Sequence, residues 1–322
     1  ESKLFYSYEI IGNSQSMQKV KNLITKLANT ESRIFISGPA GSGKELVARQ
    51  IHKQSSRKSK PFVVVNGALL DPQKYELELF GSENINETTS YGFFEKAKDG
   101  TLLIDEVAEI PLETQAKILR VLIDQKFRRV NGSREINVNV RIISTSSKNI
   151  REEVDKGNFR EDLYHRLNVV PIFLPPLKDR TEDIPYLLNY FSSKIAELNG
   201  ISEIKLDTNF ELYYKYDWPG NVRELRNLVE RILILSVNEN SNNINQLVHE
   251  ALTHKNIYQD TDLEKNALSY PLKEAREKFE KNYLTTQLKK HKGNISKTAE
   301  FIGMERSALH RKLKTLGIKG VN

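Results

Sequence analysis

Between residues 31 and 190, short apolar runs alternate with stretches whose apolar residues recur every three or four positions. Residues 33–37, 62–66, 101–105 and 138–144 are short and rich in Ile, Val and Leu, which predicts strands. Residues 44–55, 113–124 and 160–167 carry helical spacing and predict helices. Strand–helix alternation of this kind predicts an α/β unit with a mostly parallel sheet covered by helices. From Arg180 to about Ala251 the pattern is helical only, and residues 253–270, polar and weakly periodic, read as a linker. The expected organisation is thus an α/β part over 1–177, a helical part over 178–252, the linker, and a last unit over 271–322.

That last unit is read as all-α. Leu272, Ala275, Phe279, Tyr283 and Leu288 recur near helical spacing over 271–291, as either a plain surface helix or one half of a dimer-forming pair. Gly293-Asn294 then starts a short helix with Ile295, Ala299 and Ile302 on one face, and Gly303 breaks it. A second helix begins at Glu305 or Arg306, with Leu309, Leu313 and Leu316 inward and a basic polar face outward. Helix, glycine-containing turn and basic second helix together predict a helix-turn-helix.

Charge sharpens this reading. The 322 residues carry a net +7, yet residues 271–322 alone hold 13 Lys or Arg against 5 Asp or Glu. The preceding 270 residues are therefore close to neutral, at −1. Double-stranded DNA is the partner such a face suits, although a basic hairpin can serve another. Arg306, Ser307, His310 and Arg311 are the candidates for base edges and nearby phosphates, and Lys312 and Lys314 for backbone contacts. The absence of cysteine excludes disulfides, cysteine–zinc sites, iron–sulfur clusters and thiol nucleophiles. No apolar run approaches the ~20 residues that span a bilayer, so no membrane partner is expected, and the expected location is cytoplasmic.

Candidate chemistry lies in the α/β part. Gly38, Pro39, Ala40, Gly41, Ser42, Gly43 and Lys44 fit the pattern GxxxxGK between a predicted strand and a predicted helix. Glycines let backbone N–H groups turn inward around a phosphate, the helix N-terminus adds its positive end, and Lys44 reaches the outer phosphates. Glu45 stands where the general motif has Ser or Thr, ahead of Leu46. Downstream, the apolar run 101–104 ends in Asp105-Glu106. Asp105 suits Mg2+, directly or through water, and Glu106 suits activation of an attacking water. ATP or ADP with Mg2+ is the expected cofactor.

Several ordered segments now carry a resemblance: 11–14, 38–45, 78–81, 100–106, 159–168 and 218–225. They resemble the AAA+ central domain of the NtrC family of bacterial enhancer-binding proteins, and the last unit resembles the family's Fis-type helix-turn-helix. The resemblance implies an AAA+ P-loop NTPase with a helical lid. It implies that Arg160 and Arg166 act as arginine fingers toward a neighbouring subunit, which requires a ring. It implies that Arg223 is the lid's sensor II arginine, that Asn66 restrains Glu106, and that Ile11 and Gly12 line the adenine pocket. Glu after the P-loop lysine is usual in this family. Asn66-Gly67-Ala68 and the sensor I segment 144–149 depart from the usual family patterns, which bears on hydrolysis more than on binding.

One hallmark is missing. The family's GAFTGA loop, which touches sigma-54 RNA polymerase, should lie between Glu83 and Gly92, where the chain has a shorter polar stretch with one Ile and one Tyr. The run 293–314 most resembles a response-regulator branch whose members can also lack GAFTGA. That branch carries an N-terminal receiver domain addressed by a histidine kinase, and the start at Glu1 suggests that such a domain precedes these residues. The expected function is a sequence-specific DNA-binding transcriptional regulator of a two-component system, independent of sigma-54, meeting another form of RNA polymerase and self-associating as a dimer or ring. Weak ATPase activity is expected. An active mechanochemical ATPase acting on another partner, and a binding-only module, stay open beside it.

Overall fold

The computed structural model describes residues 9–71, 74–83, 89–200, 202–236, 241–253, 281, 284–285, 287–288, 294–302 and 304–316. The chain divides into two units, 1–249 and 250–322. In chain order the elements are α1 (Gln15–Ala28), β1 (Ile34–Ser37), α2 (Lys44–Lys53), β2 (Phe62–Asn66), α3 (Tyr75–Phe80), β3 (Gly81–Glu83), β4 (Thr89–Tyr91), α4 (Phe93–Lys96) and β5 (Thr101–Asp105). They continue with α5 (Leu112–Asp124), β6 (Lys126–Arg128), β7 (Glu135–Asn137), β8 (Arg141–Ser146), α6 (Ile150–Asp155), α7 (Glu161–Leu167) and β9 (Val170–Phe173). Helices α8 (Ile184–Asn199), α9 (Leu212–Lys215), α10 (Asn221–Leu235) and α11 (Ser241–Thr253) follow, and then α12 (Ile295–Ile302) and α13 (Arg306–Thr315).

The main sheet has the order β2-β5-β8-β1-β9, with every pair parallel. Parallel neighbours need crossover connections, and the helices supply them. Strand side chains alternate between faces. Phe35, Leu102, Ile104 and Ile142 join one core with Leu79, Ile118, Val121 and Leu163 from the helices. Ile34, Ile36, Leu103 and Ile143 face the opposite core with Met17, Val20, Val47 and Ile51. Both faces are covered, which is why these strands read as nearly continuous apolar runs.

β8 begins later than the expected 138–144. Residues 135–137 instead pair with β6 as an antiparallel hairpin, and the Val138 amide bonds the Gln125 carbonyl before the chain enters the sheet. The helical part is built on α8 and α10. Leu187, Leu188, Phe191 and Ile195 are buried on α8, and Leu225, Leu228, Val229 and Ile232 on α10, both at helical spacing. Gly200 ends α8 in the left-handed conformation. α11 begins at Ser241, within an Asn- and Ser-rich stretch of the chain.

In the second unit, Leu284, Leu288, Ala299, Leu309, Leu313 and Leu316 form one buried cluster with Ile295 and Ile302 against it. Asn294 starts α12: its side chain accepts from the Lys297 amide at 3.1 Å. Lys281, Leu284, Thr285, Gln287 and Leu288 are helical, while the rest of the expected helix 271–291, and the expected linker beyond Thr253, lie outside the described residues.

Candidate nucleotide site and helix-turn-helix

The C-terminal ends of β1, β5 and β8 lie side by side, and β1 and β8 are neighbours although far apart in sequence. Ligands of open α/β sheets settle at such a reversal of strand order. The loop 38–43 leaves β1 here and α2 starts at Lys44, so the first amides of that helix face the loop's concavity. A Cβ added to Gly43 would meet nothing within 4 Å, so the loop keeps open space beside it. The buried Ser42 hydroxyl has no hydrogen-bond partner among the described residues. An orphaned hydroxyl, free helix amides and a lysine around open space fit a polyphosphate.

Lys44 is buried and well occupied. Its ammonium donates to the Gly38 carbonyl at 2.9 Å, the Pro39 carbonyl at 3.3 Å and Ser147 Oγ at 2.6 Å, and it lies 3.2 Å from Glu106 Oε1. Glu106 also accepts from the Ser147 amide at 2.7 Å and from its hydroxyl at 2.5 Å. Burial works against the Glu106 carboxylate, but the Ser147 donors and Lys44 together hold it below the usual range. Asp105 goes the other way. Burial, aided by Glu106 and Glu45, pushes its carboxyl up, although Thr145 Oγ1 donates to it at 2.5 Å. Glu45 itself is bound to Arg49 at 2.6 Å.

The lid closes on the loop from above. The Arg223 amide donates to the Gly41 carbonyl at 3.2 Å, and Asn221 Nδ2 to the Ala40 carbonyl at 3.0 Å. A side chain on Gly41 would come within 2.2 Å of the Gly220 carbonyl, so only glycine allows this approach. The Arg223 side chain is exposed. Beneath the loop, buried Arg180 donates to the Ser42 carbonyl at 3.1 Å. Ile11 and Gly12 lie just ahead of the segment bound by Asp183, whose carboxylate accepts from the amides of Asn13 (2.6 Å) and Ser14 (2.7 Å) and from the Ser14 hydroxyl (2.6 Å). Leu46 is half-buried in the first turn of α2.

Family models match along the chain in the same order. They are a sigma-54 interaction domain over residues 10–173, an AAA+ ATPase lid domain over 178–264, and a Fis-family bacterial regulatory protein over 275–316. The nitrogen assimilation regulatory protein NtrX of Azorhizobium caulinodans is 44% identical over 98% of this chain and 70% of its own length. A putative NtrX-like response regulator of Rickettsia felis is 42% identical over 99% of this chain and 68% of its own. The crystal structure of NtrX from Brucella abortus in complex with ADP superposes with a TM-score of 0.76 at 47% identity, over 96% of this chain and 69% of that one. Its ATP complex gives 0.76 at 46%, over 98% and 71%. The chain belongs to the NtrC family of bacterial enhancer-binding proteins. It is a transcriptional regulator with a nucleotide-binding AAA+ part, a helical lid and a DNA-binding helix-turn-helix.

Against the family pattern, one expected contact differs. Among the described residues Asn66 is hydrogen-bonded to Asp105 rather than to Glu106: its Nδ2 donates to Asp105 Oδ2 at 2.9 Å. Register explains this, since Asn66 pairs with Asp105 across β2 and β5. Glu106 lies beyond the strand end with φ +52°, which turns it toward the loop after β8. Ser147 of that loop and Thr145 of β8 are the site residues that the reading of segment 144–149 did not single out. Arg180 and Asp183 were missed as well, and nothing local in the sequence marks them, because their partners lie more than 130 positions away. Arg160 is held by Asp162 at 2.8 Å and Arg166 is exposed. Among the described residues neither reaches the phosphate loop of its own chain.

On the helix-turn-helix, Leu309 and Leu313 of α13 are buried, and Arg306, Ser307, His310 and Arg311 are exposed on the other side. Lys312 is half-buried. The side chain of Lys314 lies outside the described residues. Among the described residues there is no group of three or more His, Asp or Glu arranged to hold a metal, and no helix long and apolar enough to cross a membrane.

Proposed function

We propose that the chain is the AAA+ and DNA-binding portion of a two-component response regulator that binds specific operators through α13 and uses ATP or ADP to set its assembly on DNA. The observation that carries this is the pairing of a phosphate loop fitted for a nucleotide with a recognition helix whose cationic face is exposed. Lys44 and the first amides of α2 bind the outer phosphates, and Ser42 gives its orphaned hydroxyl to the same group. Asp105 would hold Mg2+, mostly through water and phosphate oxygens, because Glu45 is committed to Arg49. The relatives named for NtrX, and the Brucella abortus structures with ADP and ATP, support this reading.

The regulator acts without sigma-54. Residues 81–83 and 89–91 form an antiparallel pair whose Glu83 is tied through Arg129 to Glu95 of α4, both at 2.6 Å, and whose exposed Tyr91 lies under the same guanidinium. A loop pressing on a partner needs apolar surface, and the sequence between Glu83 and Gly92 offers one Ile and one Tyr. RNA polymerase of the housekeeping form is then the machinery it meets. A second reading, a ring-forming ATPase that remodels another partner, is favoured by the outward placement of Arg160 and Arg166, which suits contact with a neighbour's nucleotide. Genome-wide mapping of binding sites, with the polymerase form at those promoters identified, tests the proposal. Occupancy confined to sigma-54 promoters would overturn it. Vigorous ATPase activity, rising with protein concentration and lost on Arg160→Ala, would move the assignment to the second reading.

A further inference from the structure

Ser147 occupies an unusual place between two charged groups. A lysine ammonium only donates, so the 2.6 Å contact from Lys44 makes Ser147 Oγ an acceptor. The single hydroxyl proton is then directed at Glu106 Oε1, 2.5 Å away, while the Ser147 amide fixes Glu106 Oε2 at 2.7 Å. Lys44 meanwhile faces four acceptors, the Gly38 and Pro39 carbonyls, Ser147 and Glu106, with three protons. A phosphate must therefore compete with ligands that already satisfy the lysine. The hydrogen bonds of Asn66 lie elsewhere: its Nδ2 donates to Asp105 and its Oδ1 accepts from the Ala68 amide.

We infer that Ser147 is a positioning residue that ties Lys44 to Glu106, so that the phosphate-binding cation and the water-activating carboxylate are held against each other until outer phosphates draw Lys44 away. The inference rests on the nucleotide reading of this site. It makes Ser147 a brake on nucleotide binding, not a contributor to it. Removing its hydroxyl releases Lys44 from one charge-assisted bond but leaves the ion pair with Glu106 in place. Ser147 is exposed at the end of β8, so its replacement disturbs no core.

The test is calorimetric titration of the full chain, and of Ser147→Ala, Ser147→Thr and Lys44→Ala, with ATP, ADP and AMP. Ser147→Ala is expected to tighten ATP and ADP about 3- to 10-fold, the scale of one charge-assisted hydrogen bond removed from the competing state. AMP, which lacks the outer phosphates, should change less than about 2-fold, and Ser147→Thr, which keeps the hydroxyl, should match the parent chain. Unchanged or weaker ATP binding in Ser147→Ala, an equal gain for AMP, or tightening in Ser147→Thr would overturn the inference. Lys44→Ala separates the two levels. If it binds ATP as the parent does, or if the parent binds none, the nucleotide reading fails and takes the inference with it. If binding depends on Lys44 but ignores Ser147, the inference alone fails.

Discussion

Asn221, the first residue of α10, holds the Ala40 carbonyl of the phosphate loop through Nδ2 at 3.0 Å and accepts the Leu177 amide through Oδ1 at 2.8 Å. One buried side chain thus fixes the loop, the entry to the lid and the start of the lid helix that carries Arg223. Asn221→Ala should cost about 2–3 kcal/mol, because a buried amide and a carbonyl both lose their partners. The residue also sits at φ +52°, which asparagine tolerates better than alanine. Denaturant unfolding checks the stability, and ATP affinity should fall with it. A variant as stable as the parent would show that the interaction is incidental.

Arg129 is the clamp of the antiparallel pair 81–83 and 89–91. It binds Glu95 and Glu83, and those two carboxylates raise its pKa further. Arg129→Met keeps the bulk but leaves two acidic groups facing each other without a cation. We expect a loss of about 1–3 kcal/mol and faster amide hydrogen exchange over 81–83 and 89–91, with ATP affinity unchanged. Undiminished protection of those amides would remove the clamp from the account.

For the helix-turn-helix, Arg306→Ala with Arg311→Ala should abolish preference for the cognate operator. Each base contact contributes roughly 1–3 kcal/mol, and the slope of affinity against salt should flatten by about one for each phosphate that the variant no longer neutralises. Mobility-shift titrations on cognate and scrambled duplexes measure both. Equal affinity of parent and variant for the cognate duplex would assign recognition to another face.

His52 gives a pH signature. It is buried beneath the sheet, with Nδ1 2.9 Å from Thr101 Oγ1. Burial first, then Arg141 and Arg49, hold its pKa below the ordinary 6.5, against a partial offset from the Lys60 backbone. The unfolded chain therefore takes up this proton before the folded one does, so the contribution to stability is intact above the unfolded pKa. It declines as pH falls from about 6.5 toward the lower folded value. The fall in unfolding free energy between pH 7 and 5.5 should be shallower in His52→Gln. Identical slopes would mean that other groups control this window.

Much of the site could be read from the chain because its chemistry is bound to local spacing. A strand, a glycine-rich turn and a helix place Lys44 at the first turn of α2 beside the loop, and the same local spacing places Asp105-Glu106 at a strand end. The inward leucines of α13 follow from helical period alone. Contacts across the fold were not legible. Whether Asn66 meets Asp105 or Glu106 depends on strand register and on the left-handed turn at Glu106, neither of which leaves a mark in composition. Nothing local in the sequence marks Arg129 or Arg180, because the fold alone brings Glu83, Glu95 and Ser42 to them.

Asp183 has a mechanical consequence. With its carboxylate taken up by Asn13 and Ser14, and with Gly12 so close that an added Cβ would lie 2.8 Å from Asp183 Oδ2, the strand of chain entering α1 is riveted to the entrance of the lid. The two cannot be displaced separately. A base gripped near Ile11 would tug on the lid as directly as a phosphate gripped near Arg223, so both ends of one small molecule would pull the same lever.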